Sequence, residues 1–121
     1  MTDENRAVER GELSVTRTDV DGVTVLGLRG EIDYESVGAL ARAMPPADPT
    51  AGSRVVVDLS GVTFMDSSGI NALIAAHQVT RAGQGWLRLA GVRDSVLRTV
   101  QLVGLDTLAS CHPTVQAAIA A

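Results

Sequence analysis

Three consecutive valines, an aspartate and a leucine follow Arg54 in the segment Arg54–Leu59, leaving almost no polar position at either parity. Successive side chains of a strand point to opposite faces, so this run fits a strand covered on both sides. Such strands belong to parallel or mixed sheets with helices laid against them. This one segment already predicts an α/β architecture.

The rest of the chain supplies the remaining elements. Leu13, Val15 and Arg17 alternate with Ser14, Thr16 and Thr18 at strand period, and Asp19-Val20-Asp21-Gly22 supplies turn chemistry. Val23–Leu28 resumes as a strand that Gly30 ends, which predicts an antiparallel hairpin. Asp33 is placed to cap a helix from Tyr34 carrying Val37, Leu40, Ala41 and Met44, stopped by Pro45-Pro46. Residues 47–53 read as a loop. After the valine strand, a second helix runs from about Ser68 to Arg81, with Ile70, Leu73, Ile74 and His77 on one side; Gly83 and Gly85 close it. Trp86–Ala90 is a short strand, and Asp94 or Ser95 caps a third helix that ends at Gly104. Leu105–Ser110 reads as a last short strand, and Pro113 opens a final alanine-rich helix through Ile119. The expected fold is a single α/β domain over residues 12–121. Its mixed sheet of four to five strands starts with an antiparallel hairpin and is covered by about four helices, behind a frayed polar tail at residues 1–11.

Composition removes several function classes. All ten basic residues are arginine, so no P-loop, Schiff-base or lysine general-base chemistry is available. A net charge of −4 and 2% aromatic residues provide neither a phosphate-neutralising stripe nor stacking platforms, so no nucleic-acid partner is expected. No apolar run reaches the length of a membrane span, and the start Met1-Thr2-Asp3-Glu4-Asn5 lacks the pattern of a signal peptide. A single cysteine, Cys111, forms no internal disulfide and suits a cytoplasmic location. Cys111, His77 and His112 do not form a metal-ligand cluster, and a dinucleotide glycine fingerprint is missing, so no metal or cofactor is expected. Cys111 beside His112 could suggest a nucleophile and its base; the simpler reading is an inert, partly buried thiol, with His112 at a helix start and His77 on a helix flank. No assembled active site is expected.

The informative segment is Val55–Gly69, where a buried strand delivers Asp66-Ser67-Ser68-Gly69 to a helix N-terminus. Capping alone accounts for these residue types, since aspartate and serine both satisfy orphan amides. A second reading is that one side chain caps while another hydroxyl stays free, where a phosphoryl group would meet the positive end of the helix dipole. A serine-hydrolase elbow does not fit: Ser67 has Met65 two residues before it, and Ser68 lies between Asp66 and Ile70.

Phe64-Met65-Asp66-Ser67-Ser68-Gly69-Ile70, after Val55-Val56-Val57-Asp58-Leu59-Ser60, closely resembles the anti-sigma factor antagonist family, the STAS-domain proteins. Leu28-Arg29-Gly30-Glu31-Ile32-Asp33, Leu87–Gly91 and Val100–Asp106 extend the similarity over roughly residues 12–120. The chain departs from the pattern at Ala109, where a bulky aromatic is common. The resemblance implies a cytoplasmic protein–protein switch and not an enzyme. Its partners would be an anti-sigma factor serine kinase of the histidine-kinase-like ATPase type and a PP2C-type serine phosphatase. Ser67 matches the phosphorylated serine, and Asp33 and Asp66 match acidic positions flanking it. Gly30, Glu31, Asp33, Asp66, Ser67, Ser68, Gly69 and Asn71 are the expected partner-binding residues, with the exposed face of the second helix beside them. The alternative is a non-switching STAS scaffold or regulatory module in a stress-signalling or transporter-associated complex. Nucleotide binding, sometimes proposed for this fold, finds no phosphate loop here.

Overall fold

The computed structural model describes residues 13–45 and 52–121. Strand β1 (Ser14–Val20) pairs antiparallel with β2 (Val23–Ile32), in a register running from Ser14 opposite Arg29 to Val20 opposite Val23. Asp21 and Gly22 join them with positive φ at both positions, 52° and 80°, the backbone of a type I′ hairpin turn. Strands β3 (Arg54–Met65), β4 (Trp86–Ala90) and β5 (Cys111–His112) then add in parallel, each beside its predecessor, giving the order β1-β2-β3-β4-β5. Helices α1 (Val37–Ala43), α2 (Ser67–Ala82), α3 (Asp94–Leu102), α4 (Leu105–Leu108) and α5 (Val115–Ala120) complete the described residues. The fold is the α/β arrangement read from the sequence, with five strands and five helices among the described residues.

The valine strand is buried on both faces. Val55, Val57 and Leu59 face the larger core, which includes Leu40 of α1, Leu73 of α2 and Val100 of α3. Val56, at the opposite parity, packs with Val23, Ala90 and Ala118 under α5. All four of these β3 residues are fully buried. Arg88 on β4 holds α5 at its far end: Nη1 donates to the Ala118 carbonyl at 2.8 Å, and the guanidinium lies 3.6 Å from the Trp86 ring centroid.

Several boundaries differ from the sequence reading, each for a local reason. Gly30 does not end β2; the strand continues to Ile32 through register shifts against β3, which itself runs past Leu59 to Met65. The helix expected from Tyr34 starts at Val37, because Asp33 organises a turn first: its Oδ1 accepts from the Glu35 and Ser36 amides at 3.0 and 2.9 Å. Helix α2 begins at Ser67, one residue early. Neither Asp94 nor Ser95 caps α3; the N-cap position is Arg93, with no side-chain cap bond. Gly104, at φ 77°, breaks α3 and starts α4 where a strand was expected, so the last strand is only Cys111–His112. Pro113, expected at the first helical position, lies two residues before α5, which Thr114 caps by accepting from the Ala117 amide at 3.0 Å. Ala109 is fully buried despite its small size. The tail at residues 1–11 and most of the loop expected at 47–53 lie outside the described residues.

The first turn of α2 is seated directly on the sheet. A Cβ added at Gly69 would stand 2.6 Å from Met65 Cγ and 2.7 Å from Ile32 Cγ2, the last residues of β3 and β2. Overpacking at such a contact costs about 1–3 kcal/mol. Gly69→Ala is therefore expected to lower the thermal midpoint by several degrees; an unchanged midpoint would mean that α2 does not sit this close to the strand ends.

Candidate functional site

The carboxyl ends of β2 and β3 lie side by side, with Glu31 in register with Phe64 and Ile32 with Met65. The Asp66 amide donates to the Ile32 carbonyl at 3.1 Å, carrying the pairing one residue beyond the strands. Asp66 is extended (φ −99°, ψ −169°), the geometry of an N-cap. Its Oδ1 accepts from the Ser68 amide at 2.8 Å and the Gly69 amide at 3.4 Å, while its carbonyl accepts from Ile70 at 3.2 Å. One half-buried carboxylate thus meets the capping demand of α2.

That leaves two hydroxyls over. No described residue donates to or accepts from the side chain of Ser67 or Ser68. Ser67, the first helical residue, is exposed and Ser68 half-buried, with Asn71 exposed one turn further along the helix. The amino end of a sixteen-residue helix favours negative charge by about 0.3–1 kcal/mol at an exposed position. Ser67 Oγ stands in that field, beside the Asp66 carboxylate.

The residues expected to share this surface are brought to one end of the molecule. Gly30 (φ 109°), exposed Glu31 and half-buried Asp33 form the end of β2 and the turn that follows. Ser36 stitches this turn: its Oγ donates to the Glu31 carbonyl at 2.8 Å and accepts from the Asp33 amide at 3.0 Å. Gly69 alone among the expected residues is buried, so its part is to seat the helix.

Two residues at this end were not singled out from the sequence. Tyr34 is 83% exposed and Phe64 49% exposed, and both lie beside the Glu31–Asp33 turn. Phe64 escaped because β3 is irregular there: Val62 and Met65 are both buried, so simple alternation does not mark Phe64 as exposed. Tyr34 was hidden by its assignment to a helix.

The histidine and cysteine positions form no second centre. Burial, and secondarily Asp106, pushes the Cys111 thiol up, which disfavours the thiolate that nucleophilic attack requires. His112 Nε2 is 2.8 Å from Ser110 Oγ and forms no hydrogen bond with Cys111; it lies in β5, not at a helix start. His77 is buried on α2, where a flank was expected, and its Nδ1 has no partner among the described residues. Among the described residues no group of three or more His, Cys, Asp or Glu could hold a metal ion, and no helix is long and apolar enough to cross a membrane.

Known proteins resemble this chain in sequence and fold. The chain is 36% identical over 95 residues to the anti-sigma-F factor antagonist RsfB of Mycobacterium tuberculosis, spanning 78% of this chain and 76% of the relative. The crystal structure of an anti-sigma factor antagonist from Mycobacterium paratuberculosis superposes with a TM-score of 0.70 at 28% identity, over 91% of this chain and 93% of that one. The Bacillus cell fate determinant SpoIIAA, solved in its phosphorylated form, shares the fold with a TM-score of 0.67 at 22% identity, over 88% and 96% of the two chains. The STAS domain model matches residues 14–118, from the first residue of β1 into α5. With hairpin, parallel strands and capped helix all inside that span, the chain belongs to the STAS domain family.

Proposed function

We propose that this chain is an anti-sigma factor antagonist: it binds an anti-sigma factor that is also a serine kinase, so releasing a sigma factor, and phosphorylation of Ser67 breaks the complex. The observation that carries the reading is the division of labour at α2. Asp66 supplies the cap, so the exposed Ser67 hydroxyl is free for chemistry. The names of the relatives support the antagonist part, and a relative of the same fold solved in phosphorylated form supports the modification.

The chemistry asks little of this chain. Ser67 Oγ attacks the γ-phosphorus of an ATP held by the kinase; the new O–P bond forms as the bond to the β-phosphate oxygen breaks. ADP leaves, and the hydroxyl proton passes to a base on the kinase. A PP2C-type phosphatase hydrolyses the ester and restores the hydroxyl. The antagonist itself presents a nucleophile on a rigid helix end.

Phosphorylation adds about −1.5 to −2 charges at Ser67, beside Asp66. In the free chain the group stays hydrated and the helix end offsets part of the repulsion, so the fold survives. In a complex the same dianion must lose water, which costs several kcal/mol unless a cation meets it. Each 1.4 kcal/mol is tenfold in affinity, so a partial mismatch is enough to release the partner. Gly30, Glu31, Asp33 and Asn71 provide the polar contacts around Ser67, and Tyr34 and Phe64 the apolar anchors.

Incubation with ATP and the cognate anti-sigma kinase should add one phosphoryl group by intact mass, lost in Ser67→Ala. Ser67→Glu should bind the kinase at least tenfold more weakly than the unmodified chain. Unchanged affinity in Ser67→Glu, or modification at another residue, would leave a non-switching scaffold as the better account.

Capping and switching should also separate by stability. Asp66→Ala is expected to cost about 1 kcal/mol in denaturant unfolding, as N-cap removal does. Ser67→Ala should stay within about 0.5 kcal/mol, the range of a surface substitution. The reverse order would mean that Ser67 is a structural cap.

A further inference from the structure

The face of the sheet opposite α2 is only partly covered. Helix α5 is six residues long and packs on Val23, Val56 and Ala90. Beyond it no helix among the described residues covers the cross-strand row Thr16–Gly27–Asp58, and a groove of about 550 Å³ opens, lined by Thr16, Arg29, Asp58, Ser60, Thr63 and Arg93.

Its floor is made by residues that a strand would ordinarily avoid. Glycine inside a strand weakens it and often marks the close approach of a ligand or of another backbone. A Cβ at Gly27 would stand 2.7 Å from Thr16 Oγ1; one at Gly61 would stand 2.8 Å from the Leu28 carbonyl oxygen and 2.9 Å from Arg29 Cγ. The β2–β3 register slips between Gly27 and Arg29, and such irregularities re-aim the side chains beside them. Gly61 and the register shift therefore act on the place where Arg29 meets the groove, and Gly27 makes room for Thr16 beside it.

The groove is electropositive within an acidic chain. Two guanidiniums, Arg29 and Arg93, line it with one carboxylate, Asp58, whereas the whole chain carries −4. Arg93 Nη1 donates to the Ser60 carbonyl at 3.3 Å, tying that side chain to β3. One Asp58 oxygen accepts from the Ser60 amide at 3.0 Å. The Thr16 and Thr63 hydroxyls reach only the Gly27 and Gly30 carbonyls, at 3.4 and 3.5 Å, well beyond the roughly 2.7–2.8 Å usual for an O–H···O bond. Both hydroxyls remain available to a ligand.

We propose that this groove binds a small phosphate monoester carrying hydroxyl groups. Arg29 and Arg93 suit a tetrahedral dianion through forked hydrogen bonds, with the threonine hydroxyls adding donors. Asp58 accepts from a ligand hydroxyl. A second depression of about 320 Å³ shares Asp58 and Ser60 with the first and leaves room for a polyol body. No aromatic ring lines either one, so a nucleobase would find nothing to stack on. This site is separate from Ser67, and its test does not depend on the phosphorylation reading.

Titration of the full chain with glycerol 3-phosphate, followed by ¹H–¹⁵N spectra, should give saturable shifts at the Gly27, Ser60 and Gly61 amides. Arg29 and Arg93 are both exposed. Arg29→Gln and Arg93→Gln should therefore melt like the parent while weakening binding at least tenfold; Ser67→Ala should leave it unchanged. No saturable shift, or shifts that survive both arginine substitutions, would overturn the site. Inorganic phosphate binding as tightly as glycerol 3-phosphate would overturn the assignment to a hydroxylated monoester.

Discussion

Everything in this molecule is referred to β3. It puts fully buried side chains into both cores, and it carries the pairing with β2 on one side and β4 on the other. Each fully buried valine or leucine contributes about 1.5–3 kcal/mol relative to exposure, so four such residues anchor both cores through one strand. Two consequences follow from its direction. Parallel strands end together, so the chain leaves β2 and β3 at the same edge, where Asp33 and Asp66 each accept backbone amides as the chain turns toward a helix. A strand that must stay in place also makes its end a fixed point, and Ser67 inherits that rigidity.

The two acidic residues of this edge do related work by different geometry. Asp66 caps a true helix, whereas Asp33 holds a turn whose carbonyl accepts from the Val37 amide at 2.9 Å before α1 begins. Both carboxylates are engaged with backbone, which explains their residue type without any partner. Ser67 has no such explanation, since nothing described in the fold uses its hydroxyl. A side chain that the fold does not need can change its charge without unfolding the protein that carries it.

Much of this was legible in the sequence because the strongest signals were local. The valine run fixed the class of sheet, Asp21-Gly22 fixed the hairpin, and Asp66-Ser67-Ser68-Gly69 fixed the amino end of α2 to within a residue. What escaped depended on tertiary contacts. Gly30 reads as a stop, yet β3 alongside supplies the pairing that carries β2 on to Ile32. Leu105–Ser110 reads as a strand by composition, but the left-handed Gly104 redirects the chain into a helical turn. Cys111 and His112 look like a pair in one dimension, while adjacent residues of a strand point to opposite faces. The groove around Arg29 left no sequence motif, because its residues come from β1, β2, β3 and the start of α3.

The sheet is covered unevenly, and that asymmetry separates the protein's two candidate surfaces. The face that carries α1, α2 and α3 holds the larger core, so its chemistry is confined to the edge where helices begin. Among the described residues the other face has one short helix packed on Val23, Val56 and Ala90, and beyond it the strands present Thr16, Gly27 and Arg29 rather than valine or leucine. A strand position facing water tolerates polar residues, but it does not by itself favour glycine, which costs about 0.5–1 kcal/mol relative to alanine. Gly27 and Gly61 concede that stability where a Cβ would crowd the neighbouring strand, 2.7 Å from Thr16 Oγ1 at the first and 2.8 Å from the Leu28 carbonyl oxygen at the second. The close approach of the neighbouring strands accounts for the concession, and the open floor it leaves lies on the far side of the sheet from the helices that carry the larger core.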